Sequence, residues 1–569
     1  MSKLLKIKLI LTAILFLAAP FIVSADNLGQ EVAFNIDSSY DSQIRYELTA
    51  TLVKITDKLY FYADKAWWQK LSQSEKQSLD VAFYDLAVEF ERKIYPTLTS
   101  TFGSEQKSGI DGSEKITVLL HPMISDAGGY FNSGDAYSRF QYPRSNERKI
   151  LYLNSRHIDK PEAKALLAHE FMHLVTVNQK ELLRNIREET WLNEARAEYT
   201  TTLLGYDDVY EGSRLEKRVN NFLKDSSASL TEWLNENSDY GIVALFAQYL
   251  VDHYSIKILV DSLQSDKIGI DSINFVLEQN GIQENFSQIF TNWTIAILVA
   301  DCQLDSRYCY LNKNLKDLKI APVFYYLPFG SESALSVLNS SKEWTGNWQR
   351  IFGGKGTLTL EFEGQTGLIF KVPYLLCDHQ KKCQVEFLSL DENQTGKLVI
   401  PEFNIRYSSL IIITSIQTKT SGFDGREPFY SFSWRVAVSG KSEEEQESEL
   451  IGQLLARIEE LKRQIAEYKT KIAALTGKNL VSCAKFNNDL YFGIRDSAEV
   501  SCLQEFLKSQ GADIYPEGLV TGNFLSLTQA AVIRFQEKYA SEILHPLNLQ
   551  GGTGYVGEMT RAKINQLLR

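Results

Sequence analysis

Histidine is scarce in this chain, with seven residues among 569. Chemistry that needs imidazole therefore has few places to be. Cysteine is scarcer still, at six, and none of the spacings is that of a zinc finger. No long basic run is present and the formal net charge is −11, which argues against nucleic acid as the main partner. Beyond the first 25 residues no stretch is apolar for long enough to span a bilayer. What is left is an ordinary globular composition, with enough aromatic residues to fill cores, at a length that predicts several domains.

The exception to the missing apolar runs is the N-terminus. Lys3, Lys6 and Lys8 make a basic start, Leu9 to Val23 is mostly apolar and broken by Pro20, and Val23-Ser24-Ala25 is small enough for a signal peptidase. Cleavage after Ala25 is expected, the alternative being an uncleaved N-terminal anchor. No cysteine lies there, which excludes a lipoprotein anchor. An even number of cysteines behind a secretory signal predicts disulfides. The local pairs Cys302 with Cys309, Cys377 with Cys383 and Cys483 with Cys502 each fall within one proposed domain; free buried thiols are the alternative.

Two of the few histidines stand four apart, in His169-Glu170-Phe171-Met172-His173. Ala165, Leu166, Leu167, Phe171, Leu174 and Val175 make this stretch helical, and Asp159 with Pro161 marks a helix start. On a helix, positions four apart share a face. His169 and His173 thus point the same way, as two imidazoles must to hold one zinc ion. Glu170 is rotated off that line, within reach of a water rather than in a ligand position. An open catalytic site needs a third protein ligand. Roughly twenty residues on comes Trp191-Leu192-Asn193-Glu194-Ala195-Arg196-Ala197-Glu198-Tyr199, a second helix by its stripe of Leu192, Ala195 and Tyr199. Glu194 and Glu198 share a face. Glu194 is read as the third ligand, and Glu198 as an acid that orients a ligand histidine. A buried helix pair with purely structural histidines is the competing reading, which the paired motif disfavours.

HExxH followed by an NExxxE-type helix resembles the gluzincin metallopeptidases. WLNEARAEY is similar to a stretch of the aminopeptidase N-like and hyicolysin-like families, and Asn193 to Glu198 is similar to the thermolysin pattern NExxSD, with Glu198 where that family has Asp. A metzincin pattern is excluded, because Thr176 and Gln179 stand where it needs Gly and His. The aminopeptidase GxMEN signature is absent, and the resemblance of residues 40 to 300 is greatest to hyicolysin-like secreted peptidases, which implies an endopeptidase. It also implies Zn2+ as cofactor, a protein or peptide substrate, Glu170 as general base, and a Tyr or His after the third ligand as oxyanion donor. Tyr240 is the first choice for that donor and His253 the second. In gluzincins an edge strand lines the cleft. The glycine-rich stretch Ala127 to Asp135 is either that rim or an ordinary surface loop.

Around these motifs, Thr51 to Ile55, Leu59 to Tyr62, Lys115 to Leu120 and Lys149 to Leu153 read as strands. Ser74 to Tyr95 reads as a helix with Leu79, Phe83, Leu86, Phe90 and Ile94 on one face. From 321 to 438 short strands recur between turns, which predicts a β-sandwich. An acidic linker follows, then heptads with Ile451, Ile458, Ile465 and Ile472 at one seam position and Leu454, Leu461, Tyr468 and Leu475 at the other. That pattern favours a two-stranded parallel coiled coil and so a homodimer; a lone helical spacer packed on its own chain is the alternative. Residues 478 to 569 carry Leu503-Gln504, Thr521-Gly522-Asn523-Phe524, Ala531-Val532-Ile533-Arg534-Phe535-Gln536 and Thr553-Gly554-Tyr555-Val556-Gly557 with Thr560. They resemble the small three-helix peptidoglycan-binding domain, except that Leu525 replaces the usual Gly after the aromatic. Such folds also serve as prodomains or protein docks.

The expected architecture is multidomain α+β: a signal peptide at 1–25, a zincin-type peptidase domain at 26–320, a β-sandwich at 321–438, a linker and coiled coil at 439–477, and a peptidoglycan-binding-like domain at 478–569. The expected protein is a secreted, extracellular or cell-wall-associated bacterial zinc endopeptidase tethered to peptidoglycan. Its competitors are a wall-binding structural or adhesive protein with a non-catalytic peptidase-like domain, which an intact Glu170 argues against, and a hydrolase of peptidoglycan cross-links.

Overall fold

The computed structural model describes residues 26–125, 127–328, 332–423, 425–440, 443–476 and 483–568, with side chains left undescribed at 443–450 and 469–476. The expected targeting segment at 1–25 lies outside the described residues. The chain divides into two compact units, one ending at Glu447 and the other beginning at Ser448.

The first unit begins with a six-stranded mixed sheet: β1 (Glu31–Asn35), β2 (Glu47–Ile55), β3 (Leu59–Asp64), β4 (Ile116–His121), β5 (Gly129–Tyr130) and β6 (Ile150–Asn154), in the order β1-β2-β3-β4-β6-β5. β3, β4 and β6 run parallel, and every residue in them is buried. Parallel strands covered on both faces read as continuous apolar runs, and here alternate residues go to different cores. Phe61, Val118 and Leu151 meet the helices, whereas Tyr62, Leu119 and Tyr152 meet β1 and β2. The glycine stretch supplies β5, a two-residue edge strand antiparallel to β6.

The helix expected from Ser74 to Tyr95 is Gln73–Glu89, and it continues through a π-turn, Phe90–Ile94, into Tyr95–Phe102. Pro96 has no N–H to give back to the preceding turn, which is where the widened segment sits. Leu79, Phe83, Leu86, Phe90 and Ile94 are all buried against the sheet. The HExxH helix is Ala163–Thr176, starting two residues after Pro161 because the chain first makes a turn in which Ala163 N–H donates to the Lys160 carbonyl.

Past residue 320 the described residues form ten strands in two layers, joined where Thr395–Phe403 hands over to Tyr407–Ile416 through a single residue pair. One layer is Cys383–Phe387, Pro373–Asp378, Tyr407–Ile416, Asn347–Gly353 and Val323–Leu327, with the short Phe370–Lys371 beside it; the other is Thr395–Phe403, Gly356–Gly364, Tyr430–Ser439 and Glu332–Ser341. Their facing residues, among them Leu360, Phe362, Leu410, Ile412 and Trp434, form one core. The first layer is buried on its other face too: Trp348, Leu375, Ile411 and Ile413 belong to the same cluster as the HExxH helix. The run Leu410-Ile411-Ile412-Ile413 therefore fills two cores at once, and no break in packing accompanies the change of texture near 320. Cys302–Cys309, Cys377–Cys383 and Cys483–Cys502 are the disulfides formed, and no described cysteine is free.

The helix Glu443–Thr476, which belongs to the second unit from Ser448 onward, presents Ile451, Leu454, Ile458, Leu461, Ile465 and Tyr468 at 42–62% exposure. Ile472 and Leu475 lie where only the backbone is described. The C-terminal module packs Ala498–Ser509, Ser526–Lys538 and Glu558–Leu567 around one core. It is built twice over. Gln504 takes the N–H groups of Thr521 and Gly522 and donates to the Asn523 carbonyl and Thr528. Gln536 does the same with Thr553, Gly554, Tyr555 and Thr560. Leu525 has φ −110°, ordinary backbone for any residue, so the departure from glycine strains nothing. Among the described residues no single helix is long and apolar enough to cross a membrane.

The shared core predicts one cooperative unit over residues 26–440. Ile412→Ala and Ile413→Ala, on opposite faces of one strand, should each cost about 2–5 kcal/mol and shift the same calorimetric transition. Two transitions, each moved by only one of the substitutions, would contradict it.

Candidate metal centre and active site

Two helices build the site. The HExxH helix is buried along nearly its whole length, and the second, Thr190–Leu203, packs against it. The polar residues and the tryptophan of the second motif each have an assignable job. Trp191 packs against Phe286 and donates its indole N–H to Glu189 at 2.7 Å. Glu189 also accepts the N–H of Gly422 at 2.9 Å, so the strand-rich part of the unit braces the start of this helix. Arg196 is fully buried and donates to Glu188 and Ser262 at 2.8 Å each and to the Leu259 carbonyl at 3.2 Å. It fastens the far side of the helix, leaving Glu194 and Glu198 on the near side.

His169 and His173 do share a face, and their Nε2 atoms are 3.2 Å apart. The Glu194 carboxylate meets both, at 3.2 Å from His169 Nε2 and 3.5 Å from His173 Nε2. Three donors bound tetrahedrally to one zinc at 2.0–2.1 Å would stand about 3.3 Å from one another, so this set fits that ion. Glu194 Oε2 is buried with no hydrogen-bond partner, a state that costs free energy unless something else satisfies it. The ring orientations agree. His173 Nδ1 lies 3.2 Å from Asn193 Oδ1 and His169 Nδ1 lies 3.3 Å from Glu198 Oε1; the second is a charge contact more than a well-formed hydrogen bond. With a proton on each Nδ1, both Nε2 lone pairs are free for a metal. Phe131, just past β5, lies flat against His173, with ring centroids 5.9 Å apart.

Glu198 is almost fully buried, and two arginines from the helix Arg214–Lys224 hold it. Arg218 is bidentate at 2.6 and 2.8 Å, and Arg214 donates at 2.5 Å. Burial alone would raise this carboxyl, but the two guanidinium charges outweigh it and hold it well below the usual carboxylate range. The same balance lowers Glu194 less strongly: burial raises it, and the neighbouring histidines more than compensate. Glu170 is the opposite case. It is buried, with the Glu194 charge close by, and both push its carboxyl well above the ordinary value. It turns toward β5, where a Cβ on Gly129 would come within 2.9 Å of Glu170 Oε1 and 2.7 Å of the Tyr152 carbonyl oxygen. His169, Glu170 and His173 also form a group whose donor atoms lie within 4.8 Å of one another and can hold a metal ion. Glu194 is nevertheless the carboxylate nearer to both Nε2 atoms.

The centre opens into a cleft of about 710 Å³ lined by Gly128, Gly129, Glu170, Arg214, Tyr40 and Tyr240, among others, within the roughly 300–1,000 Å³ of ligand pockets. Tyr240 stands near the start of the helix Asn237–Tyr254 and faces this cleft. The structure does not bring His253 there. It lies thirteen positions further along the same helix, about 20 Å at 1.5 Å per residue, with Nε2 at 2.9 Å from the Cys309 carbonyl oxygen. Tyr40, Asn193, Arg214 and Arg218 were not singled out from the sequence. Asn193 stands in the motif and Arg214 with Arg218 shows helical spacing, but nothing local marks Tyr40.

No protein-family model matches the chain. Over 191 residues it is 28% identical to the neutral metalloprotease ShpI of Staphylococcus hyicus, an alignment covering 29% of this chain and 41% of that protein. The chain thus contains a metalloprotease-like region and spans less than half the length of this curated relative. Solved structures with some likeness include the Aeromonas hydrophila periplasmic inhibitor of g-type lysozyme PliG (13% identity, 21% of this chain and 98% of that one, TM-score 0.14), the infectious bursal disease virus VP2 subviral particle (14%, 20% and 34%, 0.15) and a CBM 22 xylan-binding domain (16%, 20% and 86%, 0.13). Scores this low carry no argument.

The crowding at Gly129 is testable. Gly129→Ala should destabilise by about 1–3 kcal/mol through overpacking, read as a fall in the denaturant midpoint. An unchanged midpoint would mean that β5 has slack the structure does not show.

Proposed function

We propose that the chain is a secreted zinc-dependent endopeptidase of the gluzincin type, held at the bacterial cell wall by its C-terminal module. One observation carries the reading: two imidazole Nε2 atoms and a carboxylate converge within 3.2–3.5 Å, beside a buried glutamate in an open cleft. The similarity to a neutral metalloprotease supports it. So does a mixed sheet whose antiparallel edge strand lies next to the HExxH helix.

His169, His173 and Glu194 would hold the zinc, which supplies Lewis acidity toward water and the scissile carbonyl. Glu170 accepts the proton of the attacking water and returns it to the leaving amine; its burial keeps its basicity high enough for that exchange. Glu198, locked by Arg214 and Arg218, fixes the His169 ring, and Asn193 fixes His173. Gly128 and Gly129 keep the edge strand free of side chains where an extended substrate backbone would pair with it. The tyrosine hydroxyls over the cleft are the donors available to the developing oxyanion.

Three disulfides and the metalloprotease similarity support an extracellular location. The C-terminal module is read as a peptidoglycan anchor on its motifs. The exposed isoleucine and leucine seam of Glu443–Thr476 is read as the contact with a second copy of the chain.

The purified protein should hold about one zinc per chain. Glu194→Ala should lose it, whereas Glu170→Gln should keep it and lose about two to four orders of magnitude in turnover. Metal analysis finding no zinc would overturn the zinc-peptidase reading and leave a wall-binding protein with a silent peptidase-like domain, whereas near-normal activity in Glu170→Gln would show that a group other than Glu170 is the base. A chain ending at 477 should cleave soluble peptide as the parent does but fail to sediment with isolated peptidoglycan, since tethering acts only on local concentration. Equal sedimentation of the two would remove the anchor assignment.

A further inference from the structure

Two tyrosine hydroxyls face the cleft that contains Glu170, and they share one hydrogen-bond partner. Tyr240 Oη donates to Asn235 Oδ1 at 2.8 Å, and Asn235 Nδ2 donates to the Tyr40 hydroxyl at 3.0 Å. A side-chain amide is a donor at one end and an acceptor at the other. Of two phenols bridged by it, one spends its proton on the amide and the other receives a bond and keeps its own proton free. Here Tyr240 is spent and Tyr40 is free.

The bridge is held in place from both sides. Asn235 has φ 61°, the left-handed region that asparagine tolerates better than most residues. The N–H groups on either side of it, Leu234 and Glu236, both donate to the buried carboxylate of Asp239 at 2.8 and 2.9 Å. That clamp fixes the turn and aims the amide into the cleft. The Tyr40 carbonyl accepts the Ile124 N–H at 2.9 Å, and its ring stacks on Tyr130 of the edge strand, with centroids 4.7 Å apart. The next residue, Asp41, is 1% exposed, accepts two bonds from the Arg45 side chain at 2.7 and 3.0 Å, and lies 3.1 Å from His121 Nδ1. A buried ion cluster thus pins the loop that carries Tyr40 to the end of β4. Burial outweighs the opposing hydrogen bond from Asn235 and, with the smaller contributions of the Glu170 and Glu194 charges, raises the Tyr40 phenol above its ordinary value, so it stays a protonated donor at neutral pH.

We propose that Tyr40 is the catalytic oxyanion donor, with Asn235 as its positioning residue and Tyr240 as the anchor of Asn235. The inference rests on the peptidase reading above. Tyr40 keeps its own proton throughout; the proton that moves goes from the attacking water to Glu170 and on to the leaving amine. As the attacking oxygen bonds to the carbonyl carbon, the π electron pair moves onto the carbonyl oxygen, and the Tyr40 O–H bond to that oxygen strengthens. When the adduct expels the amine the pair returns and the hydrogen bond weakens again.

The test uses the full-length, zinc-loaded protein and a quenched fluorescent peptide that the parent cleaves, with melting temperature and zinc content checked for each variant. Tyr40→Phe should lower kcat about 100- to 1,000-fold with KM little changed. Tyr240→Phe should cost less. Asn235→Ala should lower kcat rather than KM, and Tyr40→Phe with Asn235→Ala should be no worse than Tyr40→Phe alone, because a residue acting through another adds nothing once that other is gone. Affinity for a phosphonamidate peptide should fall with kcat in Tyr40→Phe, while affinity for the cleaved product peptide stays level. The proposal is overturned if Tyr40→Phe keeps kcat within about twofold, if Tyr240→Phe takes the whole loss, or if the double variant is multiplicatively worse. Glu170→Gln measured alongside separates the two levels of the argument. If it is fully active, the Glu170 general-base mechanism on which the inference rests has failed; if it is inactive while Tyr40→Phe is unimpaired, only the assignment of the donor has.

Discussion

Four ionisable side chains, His169, His173, Glu194 and Glu198, meet between two helices with little access to water. Charges buried in this way must be paired, and much of the surrounding architecture supplies the pairing. Glu198 would be intolerable there as a lone carboxylate. The helix Arg214–Lys224 brings it Arg214 and Arg218, and the charge so fixed stands 3.3 Å from His169 Nδ1. The other three groups face one another, and the buried Glu194 Oε2 lies 3.2 Å from His169 Nε2 without a hydrogen bond to satisfy it. That imbalance is what a divalent cation would relieve.

The position of the second helix depends in turn on residues that do no chemistry. Arg196 ties its far face to Glu188, Ser262 and the Leu259 carbonyl, and Glu189 ties its start to Gly422 beyond the strand-rich layer. The strand Tyr407–Ile416 buries Ile411 and Ile413 among the helices and Leu410 and Ile412 between the two layers. The layers past residue 320 therefore act as a rigid back wall for the site rather than as an appended module. Displacing them would disturb the helix that carries Glu194, through Glu189 and through the shared core together.

Much of the centre was legible in the chain because its spacing is local. Histidines at 169 and 173, and glutamates at 194 and 198, each fall on one face of a helix, and helical periodicity is a property of the backbone rather than of the fold. The strands near residues 51–62, 115–120 and 149–153 could be read from β-branched and aromatic runs, and the cysteine pairs from their nearness in sequence. The oxyanion donor was not legible in this way. Tyr240 came before His253 among the residues after the third ligand on weak grounds, and the two sit at opposite ends of one helix, with Tyr240 the one of the pair that faces the cleft.

The sequence by itself determined which helices carry the donors and which way those donors point along each helix, because neighbours three or four positions apart need no tertiary structure to be aligned. It also determined the disulfide partners and the exposed heptad seam. Only the tertiary structure decided what lies opposite those faces. Tyr40 meets Asn235 across 195 positions of chain and Arg218 meets Glu198 from a separate helix, while the second buried face of Tyr407–Ile416 depends on helices more than a hundred residues earlier. Such contacts are set by how sheets and helices stack to bury apolar surface, and no local pattern encodes them.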